Sequence, residues 1–332
     1  MLVEREDATS YYGHMTVMRR MSHALVPIVA AALGLVRASD VAAAPVVVPT
    51  IIDEFPHDPM AFTEGLVWDA GVLYESTGLN GQSSLRRVDR ASGEVMASVS
   101  LPEDEFGEGL AQVGDRLIQL TWKNGIAHVY AVNGFEALAQ FEYAGEGWGL
   151  CFDGTRLVMS DGSDELFFRD PTTFELLGSV SVRDEGERVV NLNELECVGG
   201  EVFANVWLSD DIVRIEAATG NVITRIDASN LRARETAPNA EVLNGIAHDP
   251  VTGHFLLAGK LWSTLFEVDL GLEAYAPDPN PGPMPDPNPD PTPQAEASGT
   301  CAMAPGSDPS VGCALVLAAA AIAGLRRRVT RL

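Results

Sequence analysis

Positive charge is scarce in this chain of 332 residues: Lys and Arg total 22 against 47 Asp and Glu, for a net charge of −25. Phosphate backbones are gripped by basic surface, so this balance excludes nucleic acid as a partner. It suits a soluble exported protein and leans weakly toward cationic peptides. Cysteine is scarcer still, at 4 residues. Cys151 and Cys197 lie in the central region, and neither sits in a CxxC or Cys/His pattern. That removes the usual cysteine-based zinc-ligand spacings. The pair could form one disulfide in an oxidising compartment or stay as two buried thiols. Amphipathic helical periodicity is missing as well, which leaves an all-β reading. Long apolar runs are also absent: those over Ala24–Val36 and Val311–Leu325 fall short of the roughly 20 residues that a membrane span needs.

Both ends read as addressing segments. Arg19, Arg20 and His23 precede the first apolar run, and small residues follow at Val41–Ala44. This is the order of a secretory signal peptide over residues 1–44, with the start at Met1, Met15 or Met21. Tyr275–Pro293 alternates Pro with Asp and Asn, a pattern that builds neither helix nor sheet interior. Residues 275–300 are therefore expected as a linker, its Pro-rich stretch reaching roughly 50–60 Å if extended. Residues 301–332 carry Cys301, the second apolar run and Arg326-Arg327-Arg328. This tail resembles the C-terminal sorting tag of myxobacterial surface proteins. The alternative is a plain anchor with a transmembrane helix, its Arg side cytoplasmic. Either end-use implies an exported or cell-surface protein with membrane attachment through the tail, unless it is secreted and released.

Between these ends, residues 45–274 suffice for one large domain. Five segments line up within them: Phe62-Thr63-Glu64-Gly65-Leu66, Phe106-Gly107-Glu108-Gly109-Leu110, Gly147-Trp148-Gly149-Leu150, Asn193-Glu194-Leu195 and Asn244-Gly245-Ile246. Each leads through an Asp- or Gly-rich turn into short β-prone runs. Four short strands per unit, repeated at roughly 40–50 residues, are the signature of a propeller blade. The expected fold is a five-bladed β-propeller with four-stranded blades. The last unit shows only three clear strands, so the N-terminal strand over Val46-Val47-Val48 and Ile51-Ile52 is expected to complete it and latch the ring. Radial closure also removes most exposed strand edges. A β-sandwich leaves the repeat unexplained.

The first strand of each blade lines the central channel. The residue before the repeated glycine is then a channel candidate: Glu64, Glu108, Trp148, Asn193 and Asn244. A second register, at the end of each second strand, reads Gly78, Trp122, Gly162, Trp207 and Lys260. Carboxylates, amides, indoles and one ammonium converge on a pocket. A carboxylate walled by indoles is poorly hydrated, so its pKa rises and it can take and return a proton. Asn193 and Asn244 suit a neutral amide or peptide backbone. Lys260 either meets a carbonyl oxygen or balances Glu64.

These stretches, together with His57-Asp58-Pro59, Glu75-Ser76-Thr77-Gly78-Leu79, Thr121-Trp122-Lys123, Asn205-Val206-Trp207 and Gly259-Lys260-Leu261-Trp262, resemble the plant and bacterial glutamine cyclotransferases, in order and across the whole domain. The resemblance implies a metal-independent acyltransferase of five-bladed propeller fold that converts N-terminal Gln of peptides or proteins to pyroglutamate and releases ammonia; a monomer without a cofactor is expected. It implies Glu108 as catalytic acid and Phe62, Phe106, Trp122, Trp148, Asn193, Trp207 and Lys260 as pocket residues, beside the channel candidates Glu64 and Asn244. In the plant enzyme the position of Glu64 is Gln, so a carboxylate there is not strictly required. Cys197 departs from the family pattern, in which an aromatic residue commonly follows Asn-Glu-Leu-Glu. The competing reading is a surface-displayed propeller that binds a peptide or other ligand without chemistry, since propellers host many functions.

Overall fold

A computed structural model describes residues 43–272. Two short strands come first, β1 (Val46–Val47) and β2 (Thr50–Pro56). The first blade then runs β3 (Thr63–Asp69), β4 (Val72–Thr77), β5 (Ser84–Val88) and β6 (Val95–Ser100). The second is β7 (Gly107–Val113), β8 (Arg116–Thr121), β9 (Ile126–Ala131) and β10 (Ala137–Glu142). The third is β11 (Leu150–Phe152), β12 (Leu157–Met159), β13 (Glu165–Arg169) and β14 (Leu176–Ser181). A small hairpin, β15 (Arg183–Asp184) and β16 (Glu187–Arg188), precedes the fourth blade, which is β17 (Leu192–Val198), β18 (Glu201–Val206), β19 (Asp211–Glu216) and β20 (Val222–Asp227). One helical turn, α1 (Ser229–Arg232), leads to β21 (Leu243–His248), β22 (Phe255–Gly259) and β23 (Thr264–Asp269) of the fifth. The result is the expected five-bladed β-propeller.

Tight turns set the antiparallel pairing within each blade. Ala70 and Gly71, between β3 and β4, both hold positive φ (49° and 87°), as do Gly199 and Gly200 (62° and 86°) between β17 and β18. Two-residue loops with both φ positive match the twist of the strands they join. The inner strands β3, β7, β11, β17 and β21 contact one another in sequence around the axis. The repeated glycine follows from that crowding. A Cβ on Gly109 would meet the amide nitrogen of Leu150 at 2.5 Å, and one on Gly149 would strike the Asn193 carbonyl of the next blade.

The core is distributed between blades. Five buried apolar clusters fill the five interfaces, for example Leu66, Leu73, Ala247 and Leu256 between the first and fifth blades. Removing one such Leu would cost about 2–5 kcal/mol. Cys151 on β11 and Cys197 on β17 form a disulfide across adjacent inner strands, with Cα atoms 5.5 Å apart. This resolves the choice between a disulfide and two free thiols.

The latch is present but divided. β2 pairs antiparallel with β23 and completes the fifth blade. Val46 and Val47, grouped with that latch from sequence, instead pair in parallel with Arg225 and Ile226 as a fifth strand of the fourth blade. Pro49 separates the two strands, and its carbonyl is held by Asn230 Nδ2 at 2.9 Å where the chain steps between blades. The expected signal peptide, all but its last two residues, and the expected linker and tail lie outside the described residues. Ala44 is buried in the cluster between the third and fourth blades. Among the described residues, no helix is long and apolar enough to cross a membrane.

Candidate active site

Of the five channel candidates, all but Trp148 stand where an inner strand breaks register. The β3–β4 pairing shifts between Thr63 and Gly65, β7–β8 between Gly107 and Leu110, and β21–β22 between Leu243 and Ile246. Glu64, Glu108 and Asn244 occupy these bulges. A bulge re-aims a side chain that regular alternation would send elsewhere, and such irregularities concentrate beside active sites. The Glu108 backbone is fixed from two sides: its carbonyl accepts the Ser76 hydroxyl, and Gly109 N–H donates to the Trp148 carbonyl at 2.6 Å.

Glu64, Glu108, Asn244 and Lys260 form one buried cluster at the top of the channel. All four are less than a tenth exposed. Lys260 Nζ lies 2.7 Å from Glu64 Oε1, and Asn244 Nδ2 donates to Glu64 Oε2 at 3.0 Å. The carboxyl groups of Glu64 and Glu108 lie close enough to be electrostatically coupled. Burial pushes Glu108 well above the usual carboxylate range, and the nearby charge of Glu64 adds to this. Burial raises Glu64 too, while Lys260 draws it back. Burial thus favours a neutral carboxyl at Glu108 more strongly than at Glu64. Two like charges this close cannot both persist away from water. Lys260 thus balances Glu64, one of the two roles read from its position.

Above the cluster, half-buried aromatic rings form an arc. Phe62 meets Phe106 edge-on at 6.0 Å, and Phe106 meets Trp122 at 5.6 Å. Trp148 meets Trp207 at 5.5 Å, nearly perpendicular. Lys260 Nζ lies 4.8 Å from the centre of the Phe62 ring, so the arc begins over the charged cluster. The register glycines make room for it. A Cβ on Gly78 would overlap the Phe106 ring, and one on Gly162 would come within 2.6 Å of Trp148. Asn193 is buried in the same ring of channel residues, and its Oδ1 has no hydrogen-bond partner among the described residues; nor has Asn244 Oδ1.

The structure joins Phe62, Phe106 and Trp122, sets Trp148 against Trp207, and gathers Glu64, Asn244 and Lys260 beside Glu108, while Asn193 is buried on the inner strand of the fourth blade and Gly78 and Gly162 act by their lack of a side chain. Two carboxylates were missed. Glu194 fills the place that glycine holds in the other blades. It is fully buried, and its oxygens accept Ile246 N–H at 2.7 Å and, from across the axis, Leu66 N–H at 3.3 Å. Burial, then the charge of Glu196, holds it well above the usual range. The break in the glycine pattern was its signal. Glu146 is the other. Its Oε2 accepts the indole N–H of both Trp122 (2.8 Å) and Trp148 (3.1 Å). It lies outside both registers, and no repeat pattern marks it. Among the described residues, no group of three His, Cys, Asp or Glu side chains is placed to hold a metal ion.

Comparison with known proteins follows the same residues. The profile of the family described as glutamine cyclotransferase matches residues 24–270. A glutaminyl-peptide cyclotransferase of Arabidopsis thaliana is 39% identical over 225 residues, which cover 66% of this chain and 70% of that protein. The crystal structure of Myxococcus xanthus glutaminyl cyclase superposes with a TM-score of 0.64 at 42% identity, covering 68% of this chain and 97% of the other.

Proposed function

The chain belongs to the glutamine cyclotransferase family, and from that premise we propose that it closes the N-terminal glutamine of peptides into pyroglutamate, with Glu108 as the general acid and base. The observation that carries this reading is the buried Glu108–Glu64–Lys260 cluster beneath an aromatic arc. Burial and the charge of Glu64 raise the Glu108 carboxyl there, which suits a group that takes up and returns a proton.

The substrate's α-amine attacks its own γ-carboxamide carbon, and a C–N bond forms as the carbonyl oxygen takes up negative charge. Asn193 and Lys260 offer N–H donors to that oxygen. Glu108 gives its proton to the leaving nitrogen, the C–N bond to it breaks, and ammonia departs. The ring nitrogen's surplus proton returns to Glu108, so the enzyme ends as it began. A carboxyl raised well above its usual range by burial is better matched to exchanging a proton with an amine than an ordinary carboxylate is. Ring closure is intramolecular, and holding the side chain folded between rings can supply several of the roughly 7–11 kcal/mol available from orientation. Asn193 Oδ1 and Asn244 Oδ1 are acceptors suited to the substrate's amine and amide hydrogens.

An exported, cell-surface setting fits the Cys151–Cys197 disulfide, a bond that persists in oxidising compartments. A monomer fits a ring that β2 closes within one chain. The test is incubation of the purified protein with glutaminyl-alanine. Stoichiometric ammonia and pyroglutamyl-alanine are expected, and no turnover on any Gln-initiated peptide would leave a propeller that only binds.

A further inference from the structure

Resting on this reading of the site, we propose that Glu146 is a positioning residue: by accepting both indole N–H groups on one oxygen it fixes the planes of Trp122 and Trp148, and with them the slot that folds the glutamine side chain for ring closure.

The two indoles come from different blades, Trp122 from the end of β8 and Trp148 from the approach to β11. Each ring touches an aromatic neighbour on its outer side, Phe106 and Trp207 respectively. Glu146 joins the two halves into one arc. An indole N–H can only donate, and a carboxylate oxygen is the strongest acceptor a side chain offers. The Glu146 backbone is itself held, because Gly147 N–H donates to the Trp122 carbonyl at 3.0 Å and Trp148 N–H to the Ser160 carbonyl at 3.0 Å. Burial works against the charge, but the indole bonds and Lys123 keep Glu146 below the usual carboxylate range. It stays an acceptor throughout the working pH.

Lys123 braces the arrangement. Its Nζ is 3.6 Å from Glu146 Oε1 and 3.9 Å from the centre of the Trp122 ring. The chain has only two lysines, Lys123 and Lys260. One balances the carboxylate at the floor of the site, and the other balances the carboxylate between its walls. A surface ion pair alone contributes about 0–1 kcal/mol, so Lys123 with Glu146 would be unremarkable without the two indole bonds. Those bonds connect the pair to the chemistry, since small misplacements of a substrate's reacting atoms cost large factors in rate.

The discriminating variants are Glu146→Gln and Glu146→Ala, assayed on glutaminyl-alanine. Gln keeps an oxygen that can accept both indole bonds, while its NH2 replaces the oxygen beside Lys123 and the charge is lost, so kcat/KM should stay within about 3-fold of the parent. Ala removes the acceptor, and kcat/KM should fall about 10- to 100-fold. Because the Glu146 side chain is 40% exposed, Tm should hardly move, which separates positioning from folding. An Ala variant with unchanged kinetics, or a Gln variant as impaired as Ala, would overturn the proposal. A second readout needs no turnover: acrylamide quenching of tryptophan fluorescence should rise in Glu146→Ala and not in Glu146→Gln. Equal quenching in all three proteins would also overturn it. An inactive parent would count against the cyclotransferase reading alone and leave the quenching result to decide on Glu146.

Discussion

Replacing Lys260 by Met should produce a destabilisation that grows with pH. The ammonium lies 2.7 Å from Glu64 Oε1 in a buried setting. At an effective dielectric constant of about 20, that contact corresponds to about 6 kcal/mol of attraction. The variant has a cheaper course than keeping an unpaired charge, which is to protonate Glu64. From an unfolded-state value of about 4.3, holding that proton costs about 3.7 kcal/mol at pH 7 and about 1 kcal/mol at pH 5. The sign is fixed by the direction of the shift. Without Lys260 the folded-state pKa of Glu64 lies still further above the unfolded one. Stability is then fully present below about pH 4.3 and falls by about 1.4 kcal/mol per pH unit as pH rises toward the folded value. The assay is urea unfolding of parent and Lys260→Met at pH 5, 6, 7 and 8. A Glu64→Gln/Lys260→Met double variant should lose most of the added pH dependence. A penalty that is flat from pH 5 to 8, or one that the double variant does not relieve, would refute the reasoning.

Reducing the Cys151–Cys197 disulfide, which closes a loop of sequence separation 46, should cost about 4 kcal/mol by chain entropy. Calorimetry with and without dithiothreitol should then register a fall in Tm of about 10 °C. Deleting residues 43–56 removes β1 and β2 and uncovers the edge of β23, so thermal unfolding should move to lower temperature; an unchanged Tm would contradict latching. Turnover should survive EDTA with Tm unchanged, given the absence of a metal-ligating group among the described residues, and zinc-dependent restoration of lost activity would contradict that.

The propeller was legible because its crowding is written into residue types. Where inner strands nearly touch, as at Gly109 and Gly149, a side chain has no room, so glycine recurs and reveals the period. The residue before it sits at the bulge of an inner strand at Glu64, Glu108 and Asn244, which is why these three could be read as neighbours although they are far apart in sequence. The alignment did not contain the bulges that aim them, because hydrogen-bond register has no residue signature. Nor did it show that Val46 and Val47 serve a different blade from Ile51, a division made by the Pro49 step. Glu146 was invisible for another reason. Its role depends on where two indole nitrogens from separate blades converge, and a single acidic residue in an acidic chain gives no sign of that. The disulfide was open because residues 46 apart in sequence can be adjacent or remote, depending on how blades are phased.

The central claim is that Glu108 carries the proton, and the measurement closest to it is kcat on glutaminyl-alanine for Glu108→Gln beside Glu64→Gln. Gln at 108 keeps the shape and the contact with Glu64 but cannot cycle a proton at neutral pH. A loss of at least about 100-fold in kcat is expected there, with KM little changed because the aromatic arc is intact. Glu64→Gln should be milder, since that carboxylate orients and balances charge. The reverse order, with Glu64→Gln inactive and Glu108→Gln nearly normal, would contradict the assignment.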